Sequence, residues 1–312
     1  MSHPRAFAIL GPTASGKTRL ALSVATVLPI EIISLDSALV YRDMNIGTAK
    51  PNAAELASVP HHLIDIISPM EAYSAADFVS DTLRLVGDIH ARGRLPVIVG
   101  GTMMYYQALS QGLNTLPSAN AGVRAQLAAD KANIGLSGLY QRLLEVDPVT
   151  AARLSANDSQ RIERALEIHA ITGQAMSELL QAQNETNHIG FETVTFVLFQ
   201  RTQLHHSIAE RYDVMLQAGF VEEVQALQQQ YPDLHADLPS MRCVGYRQVW
   251  DYLAGDTTFD EMRELGIIAT RQLAKRQLTW LRKIAAAHAF DPYAHPDLLP
   301  HVLPLIRQHF EC

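Results

Sequence analysis

Residues 11–18, with the sequence GPTASGKT, constrain the fold of this chain more than any other stretch. They match the phosphate-loop pattern G-x-x-x-x-G-K-[ST], in which glycines let the backbone curl so that successive N–H groups point at phosphate oxygens. Lys17 adds a positive charge, and the hydroxyl of Thr18 can bind Mg²⁺. Residues 6–10 predict a buried strand before the loop, and residues 18–27 predict a helix after it. This is the setting that such a loop requires, so we expect the chain to bind a phosphate or diphosphate.

The composition excludes several classes of protein. The 312 residues are 48% hydrophobic and carry a net charge of −7, which argues against binding of nucleic acid over the whole surface. Cys243 and Cys312 cannot make a disulfide framework, and no Cys-x-x-Cys or His-x-x-x-His spacing predicts zinc. We find no apolar run of about 18 residues and no room for a signal peptide before the first strand. We therefore expect a cytoplasmic protein that does not enter a membrane.

The first third of the chain predicts strands that alternate with helices. Residues 30–35, 62–66 and 95–99 are apolar runs typical of strands, and residues 74–92 have an amphipathic helical pattern. Residues 36–51 predict a long irregular loop, and loops of this length are usually functional or mobile. The alternation predicts an α/β fold, with a P-loop NTPase-like parallel sheet flanked by helices.

Two features follow predicted strands, at the edge where open α/β sheets bind ligands. Asp36 follows the second strand and can act as a Mg²⁺ partner, as a general base or as the cap of the next turn. The fourth strand is followed by Gly100, Gly101 and Thr102, where typical phosphate-loop ATPases carry an acidic residue that holds Mg²⁺. These glycines allow either a bulky group to approach closely or a tight turn from strand to helix.

The pattern changes after residue 113. Between residues 114 and 187 we find only helical patterns, at 123–133, 138–145 and 158–172. A strand pattern returns at 193–199, and further helices are predicted at 204–218, 222–230, 244–254 and 259–289. We interpret residues 1–113 and 190–291 as one P-loop core domain, residues 114–189 as an all-helical insertion, and residues 292–312 as a weakly patterned tail.

Three stretches carry positive charge that can face a polyanion. Residues 271–283 hold five basic residues and no acidic one. On a helix, Arg271, Lys275 and Arg282 form a stripe, and an apolar face opposite it contains Leu273, Trp280, Leu281 and Ile284. A helix face exposed to solvent explains the stripe as well, but such faces usually carry charges of both signs. A stripe without acidic residues on an acidic protein favours a polyanion as partner.

The other two stretches are shorter. Residues 242–247, with the sequence RCVGYR, place two arginines beside a glycine and a tyrosine, which can bind phosphate or stack on a base. In residues 160–164, Arg161 and Arg164 share a helix face, although the neighbouring Glu163 makes this stretch less distinctive.

The order of these motifs resembles the bacterial tRNA dimethylallyltransferases, also called tRNA isopentenyltransferases or IPP transferases. The resemblance is carried by residues 11–18, 36–41, 47–51, 100–102, 242–247 and 275–282, and it covers nearly the whole chain. The stretches Asp-Ser-Ala-Leu and Arg-Cys-Val-Gly-Tyr-Arg are far more specific than the phosphate loop. The zinc-finger extension of eukaryotic relatives is absent from this sequence.

The resemblance implies transfer of a dimethylallyl group from dimethylallyl diphosphate to N6 of adenosine 37 in tRNA, with diphosphate as the leaving group and Mg²⁺ as cofactor. It implies that Asp36 accepts the proton of the adenine amine, that Thr102 lies near the adenine and that Lys17 neutralises the leaving group. Thr18 would bind Mg²⁺, and Arg211 would be a further clamp on the diphosphate. The implied diphosphate loop consists of Gly11, Pro12, Thr13, Ala14, Ser15, Gly16, Lys17 and Thr18.

The resemblance also implies that the helical insertion grips the anticodon stem-loop of tRNA. The implied tRNA contacts are Asp36, Ser37, Ala38, Leu39, Thr102, Arg124, Gln160, Arg161, Ile162, Glu163, Arg164, Arg242, Cys243, Val244, Gly245, Tyr246 and Arg247. To these we add Lys275 and Arg282 of the basic stripe. We expect a monomer that does not bind membranes. Two other functions share the phosphate loop: a small-molecule kinase, and a non-catalytic RNA-binding protein switched by a nucleotide.

Overall fold

The computed structural model describes residues 5–111, 116–117, 119–181, 190–196, 201–284 and 287–310. Six strands in these residues form one sheet in which every pairing is parallel. In sheet order they are β3 (His61–His62), β2 (Ile30–Leu35), β4 (Leu95–Gly100), β1 (Arg5–Leu10), β5 (Gly190–Phe196) and β6 (His288–Phe290). The predicted α/β class with a parallel sheet is therefore confirmed.

The chain divides into two compact units, one made of Met1–Ser110 and His188–Cys312 and the other of Gln111–Asn187. In the described part of the smaller unit all regular elements are helices: α5 (Ala121–Val146), α6 (Pro148–Ala151), α7 (Ser159–Thr172) and α8 (Met176–Gln181). The remaining helices are α1 (Lys17–Ala25), α2 (Ala53–Ser58), α3 (Ala75–Ala91), α4 (Met103–Gln111), α9 (Arg201–Gln217), α10 (Phe220–Gln230), α11 (Tyr246–Leu253), α12 (Phe259–Leu281) and α13 (Leu299–Phe310). None of the described helices is long and apolar enough to cross a membrane.

Two of the buried apolar clusters among the described residues of the larger unit lie next to the candidate site and below the sheet. One joins the sheet to α1 and α13, where Phe7, Val24, Val302 and Ile306 are buried. The other joins the loop after β2 to α9–α12 and includes Met44. The residues of β2 are all buried, as expected for a strand covered on both faces. Burial on both faces leaves the ends of the strands as the surface on which a site can form.

Three predictions of secondary structure are wrong. The third strand covers only His61–His62, because Leu63 and Asp65 adopt left-handed backbone angles, with φ of 62° and 56°. The predicted helix at 259–289 ends at Leu281, and His288–Phe290 form β6. The segment interpreted as a tail contains α13, which packs on the sheet although Pro304 lies within it.

Other boundaries differ less. The helices predicted at 123–133 and 138–145 both lie within α5, whose helical backbone is interrupted between them at Gly135, where φ is 71° and ψ is 173°. The strand predicted at 193–199 begins earlier, at Gly190, and its residues 197–199 lie outside the described residues, as does Cys312.

Candidate active site

The phosphate loop lies between β1 and α1, as its pattern predicts. Ala14 and Gly16 have left-handed φ angles of 61° and 86°, which turn the backbone so that neighbouring N–H groups face one concavity. The hydroxyl of Ser15 is buried there and has no hydrogen-bond partner among the described residues. The ammonium group of Lys17 donates a hydrogen bond of 3.1 Å to the carbonyl of Pro12. The loop therefore presents donors that an anion can satisfy.

Two cations and one carboxylate influence one another beside this loop. Burial lowers the pKa of Lys17 to about 8. The negative charge of Asp36 opposes this shift, and the positive charge of Arg211 adds to it. Burial also lowers the pKa of Arg211, and Asp36 again opposes the shift. No ion pair of Lys17 or Arg211 is present among the described side chains. The site therefore holds an excess of positive charge, which suits a ligand with several negative charges.

Asp36 and Thr102 follow adjacent strands, because Leu35 of β2 pairs with Gly100 of β4. The Oδ1 atom of Asp36 accepts a hydrogen bond of 2.8 Å from the N–H of Ala38, so one of its oxygens caps the following turn. The hydroxyl oxygen of Thr102 accepts a hydrogen bond of 3.0 Å from the N–H of Ser37. The strand register thus brings the carboxylate and the threonine to one place at the sheet edge.

Gly100 and Gly101 are explained by the packing of the protein itself. A Cβ atom on Gly100 would lie 2.1 Å from the carbonyl oxygen of Leu35. A Cβ atom on Gly101 would lie 2.5 Å from the Nε2 atom of Gln277 and 2.8 Å from the carbonyl oxygen of Gly11. Close approach, one of the two interpretations left open, therefore accounts for both glycines, and the groups that approach are Leu35, Gln277 and Gly11 of the protein itself.

Gln277 and Glu223 are two residues that the sequence interpretation missed. Gln277, on α12, accepts a hydrogen bond from the N–H of Thr13 and donates one to the carbonyl of Gly101, each 2.9 Å long. Glu223, on α10, accepts hydrogen bonds from three successive N–H groups of the loop after β2. These donors are Asn45, Ile46 and Gly47, at 2.9, 2.6 and 3.1 Å. Each contact joins residues more than 170 positions apart, so no local sequence pattern predicts it. For Gln277, the one available signal is a polar residue on the buried face of a helix.

Part of the RCVGYR stretch lines the cavity beside Asp36, and the rest faces other parts of the protein. Arg242, Cys243, Val244 and Tyr246 line the same cavity as the phosphate loop. Burial and the charge of Asp36 raise the pKa of the Cys243 thiol to about 12, so the thiol is protonated at neutral pH. Arg247 lies outside the cavity lining and donates hydrogen bonds to Asp251 and to the carbonyl of Ala236, and Gly245 precedes α11 with a φ of 96°.

These groups share one cavity of about 830 Å³ within the larger unit. The predicted site residues that line it are Thr13, Ala14, Ser15, Gly16, Lys17, Thr18, Asp36, Ser37, Ala38, Leu39, Thr102, Arg211, Arg242, Cys243, Val244 and Tyr246. Gly11 and Pro12 are buried and do not line it. Phosphate-binding groups, a carboxylate and apolar side chains are thus combined in one concave site.

The model of the IPP transferase family matches residues 39–284, which is well over half of the chain. The chain belongs to the IPP transferase family. It is 58% identical over 99% of both chains to a protein of Neisseria meningitidis serogroup A named tRNA dimethylallyltransferase. A protein of the same name from Burkholderia cenocepacia is 57% identical, with 98% of this chain and 96% of that one covered.

Solved structures of similar proteins agree with this membership. The full-length tRNA isopentenylpyrophosphate transferase from Bacillus halodurans is 35% identical, with a TM-score of 0.72 and with 99% of this chain and 97% of that chain covered. A structure of a eukaryotic dimethylallyltransferase acting on tRNA is 25% identical, with a TM-score of 0.79 and with 97% of this chain and 77% of that chain covered. The fold and the cavity described above therefore belong to an IPP transferase.

The basic stripe of this IPP transferase differs in part from the prediction. Lys275 and Arg282 are exposed on and just after α12, outside the lining of the large cavity. In the second half of the helix, the buried residues are Ala274, Gln277 and Leu281. Trp280, which we predicted to pack, is 40% exposed and lines the cavity, because its helical position faces the opening instead of the core. The helix thus combines exposed cations with an exposed aromatic ring.

The predicted tRNA contacts in the helical unit are mostly engaged with acidic partners. Arg124 and Arg164 both donate hydrogen bonds to the buried carboxylate of Glu167, at 2.9 and 2.7 Å. Arg161 pairs with Asp158, and Glu163 accepts hydrogen bonds from Lys131 and Ser159. Gln160 is exposed. The prediction for the side chain of Ile162 is wrong, since that side chain is fully buried in the apolar core of the unit.

The residues present fit a magnesium ion whose ligands are mostly water molecules and phosphate oxygens and only in small part side chains. Among the described residues, no group of three or more His, Cys, Asp or Glu side chains could hold a metal ion. Thr18 and Asp36 line one cavity and offer oxygen atoms, which Mg²⁺ prefers. Because Mg²⁺ keeps several waters and uses phosphate oxygens, one or two protein ligands are enough.

Proposed function

We propose that this chain transfers a dimethylallyl group from dimethylallyl diphosphate to N6 of adenosine 37 in tRNA and releases diphosphate. One observation carries the proposal: a single cavity contains the phosphate loop, the carboxylate of Asp36, and two cations that form no ion pair with any described side chain. The naming of the curated relatives as tRNA dimethylallyltransferases supports it. It is favoured over a small-molecule kinase because β4 is followed by Gly101 and Thr102 and not by an acidic residue.

The diphosphate is the leaving group in this proposal. The N–H groups of the phosphate loop, Lys17 and Arg211 stabilise the negative charge that grows on oxygen as the carbon–oxygen bond breaks. The hydroxyl of Thr18 would hold Mg²⁺ against the diphosphate, and the ion would supply further positive charge there. The electron pair of the broken bond stays with the diphosphate.

The nucleophile is the exocyclic amine of adenine, whose lone pair is delocalised into the ring. The new bond forms between this nitrogen and the allyl carbon, and Asp36 accepts the proton that the nitrogen loses. One oxygen of Asp36 is held by the N–H of Ala38, and within the described residues the other accepts no hydrogen bond. Thr102 lies beside it and would hydrogen-bond near the adenine. An adenosine in a tRNA loop must leave its stack to enter such a cavity, so we infer base flipping.

We infer that Arg242 and Lys275 contact tRNA phosphates near the cavity, and that the helical unit binds the anticodon stem. Exposure of Lys275 and the position of Arg242 on the cavity wall support this inference.

The test is to incubate the protein with unmodified tRNA, dimethylallyl diphosphate and Mg²⁺, and to digest the tRNA for mass spectrometry. We expect adenosine with one added dimethylallyl group and a matching amount of diphosphate. Formation of ADP from ATP with no prenylated adenosine would favour the kinase. Binding of tRNA with neither product would favour the RNA-binding protein without catalysis.

A further inference from the structure

The side chain of Gln277 joins two loops that carry the proposed chemistry. It is 9% exposed and lies on the buried face of α12, between Ala274 and Leu281. Its Oε1 atom is 2.9 Å from the backbone nitrogen of Thr13, and its Nε2 atom is 2.9 Å from the carbonyl oxygen of Gly101. A buried amide with both ends satisfied by backbone groups is fixed in position.

The two partners determine the orientation of the amide. A backbone N–H can only donate and a carbonyl oxygen can only accept, so Oε1 must face Thr13 and Nε2 must face Gly101. A carboxylate cannot donate to Gly101, and an apolar side chain can serve neither partner. Among side chains of similar size, only glutamine or a protonated glutamate supplies one acceptor and one donor here.

The contact also assigns the N–H of Thr13, the second N–H group of the loop after that of Gly11, because Pro12 has none. The N–H of Thr13 points at Gln277 and is therefore directed to the protein and not to a phosphate. At the other end, Gly101 precedes Thr102, whose hydroxyl holds the N–H of Ser37 beside Asp36. The same two loops also meet where the N–H of Gly11 donates to the carbonyl of Gly100 at 3.2 Å. Gln277 thus links the start of the phosphate loop to the turn that carries Thr102.

We propose that Gln277 is a positioning residue that sets the phosphate loop in register with the turn bearing Thr102, and so aligns the diphosphate with the proton acceptor Asp36. The inference rests on the proposed function for its effect on transfer. Its effect on binding of diphosphate does not depend on transfer. Misplacement of reacting groups by about 1 Å is enough to slow a reaction about a hundredfold.

The experiment compares Gln277→Met with Gln277→Glu, and uses Gln272→Glu, an exposed site on the same helix, as the matched control. For Gln277→Met we expect kcat/KM for dimethylallyl diphosphate to fall about ten- to a hundredfold, because two buried backbone groups lose their partner. We expect its Kd for inorganic pyrophosphate, measured by calorimetry, to rise about tenfold. The KM for tRNA should stay within about twofold, since Gln277 does not face the exposed side of α12.

The pH profile separates positioning from a loss of packing. Ionised glutamate at this position cannot donate to Gly101 and adds negative charge beside the diphosphate, whereas protonated glutamate restores both hydrogen bonds. The activity of Gln277→Glu relative to the wild type should therefore rise severalfold between about pH 8 and pH 6. The ratio for Gln277→Met should stay flat over the same range.

The inference is overturned if Gln277→Met binds pyrophosphate as tightly as the wild type, or if the ratio for Gln277→Glu does not change with pH. Circular dichroism and thermal unfolding of each variant identify the temperatures at which all proteins are folded, and the measurements are made there. A wild type that binds pyrophosphate but makes no prenylated adenosine would contradict the proposed function alone. The calorimetric comparison would still decide the role of Gln277.

Discussion

The cations of the cavity and the arginines of the helical unit differ in whether a carboxylate neutralises them. Arg124 and Arg164 share the buried carboxylate of Glu167, with contacts of 2.9 and 2.7 Å. Lys17 and Arg211 form no ion pair among the described side chains, and Asp36 acts on both only through its field. Because Glu167 is buried, loss of its arginine partners would leave an uncompensated charge inside the unit, so these arginines serve the structure of their own unit. Cations that are left unpaired in a concave site are available to an anionic ligand.

The largest effect is expected at Asp36, the carboxylate of the cavity. Asp36→Ala should lower the turnover number by about 10²- to 10⁴-fold, the usual contribution of a general base. The KM for dimethylallyl diphosphate should stay the same or fall, because a negative charge near the diphosphate is removed. Steady-state kinetics with saturating tRNA measure both quantities.

Asp36→Asn is the matched control, since its side-chain oxygen can still accept the hydrogen bond from Ala38. An equal loss in both variants would assign the effect to the base and not to the turn. If Asp36→Ala turned over at the wild-type rate, Asp36 would only neutralise cations, as Glu167 does, and the contrast between the two regions would disappear.

The next effect concerns Lys17, whose pKa burial lowers to about 8. The protonated form binds diphosphate, so affinity should be highest below pH 8 and should weaken as pH rises through that value. Lys17→Met should bind pyrophosphate about a hundredfold more weakly at pH 7 and should lose this pH dependence. Calorimetric titration with pyrophosphate between pH 6.5 and 9.5 measures both. Because pyrophosphate itself titrates in this range, the ratio of the wild-type to the Lys17→Met affinity isolates the lysine, and a ratio that does not change with pH would show that Lys17 does not carry the charge that holds the anion.

The sequence predicted the elements whose signals are local. The strand–loop–helix setting of Lys17 and the placement of Asp36 after β2 follow from contiguous patterns, and the structure contains both. The three-residue strand β6 is too short to have a pattern of its own, and it forms because it pairs with β5. The role of Gln277 depends on partners that lie 264 and 176 positions away, which no local period can reveal.

An intermediate effect is expected at Glu167, on the paired side of the contrast. Burial raises its pKa, but hydrogen bonds from Arg164 and Arg124 outweigh burial and hold the pKa below its ordinary value. A carboxylate with a lowered pKa stabilises the folded state above about pH 4.3, and this stability is lost as pH falls further. Glu167→Gln should lower the free energy of unfolding of the helical unit by about 1.5 kcal/mol at pH 7.

Hydrogen exchange of α5 and α7 measures this change, and Glu178→Gln, at an exposed site in the same unit, is the control. Pyrophosphate affinity in the larger unit should be unchanged. Equal exchange rates in Glu167→Gln and the wild type would mean that the arginines are not held by this carboxylate, and would remove the distinction between paired and unpaired cations.

The smallest effect is expected on the exposed stripe of α12. Lys275 and Arg282 form no ion pair within the described part of the chain, so they resemble the cavity cations more than Arg124. Lys275→Ala and Arg282→Ala should each weaken tRNA binding a fewfold and should each reduce the slope of log Kd against log salt by about 0.7 to 0.9. Arg84→Ala is the control, because Arg84 is an exposed arginine engaged with Asp81 and Asp88. If the slopes for Lys275→Ala and Arg282→Ala did not change, these two residues would not bind tRNA phosphates. An unpaired cation would then indicate an anion-binding site only in a concave surface, such as the cavity around Lys17.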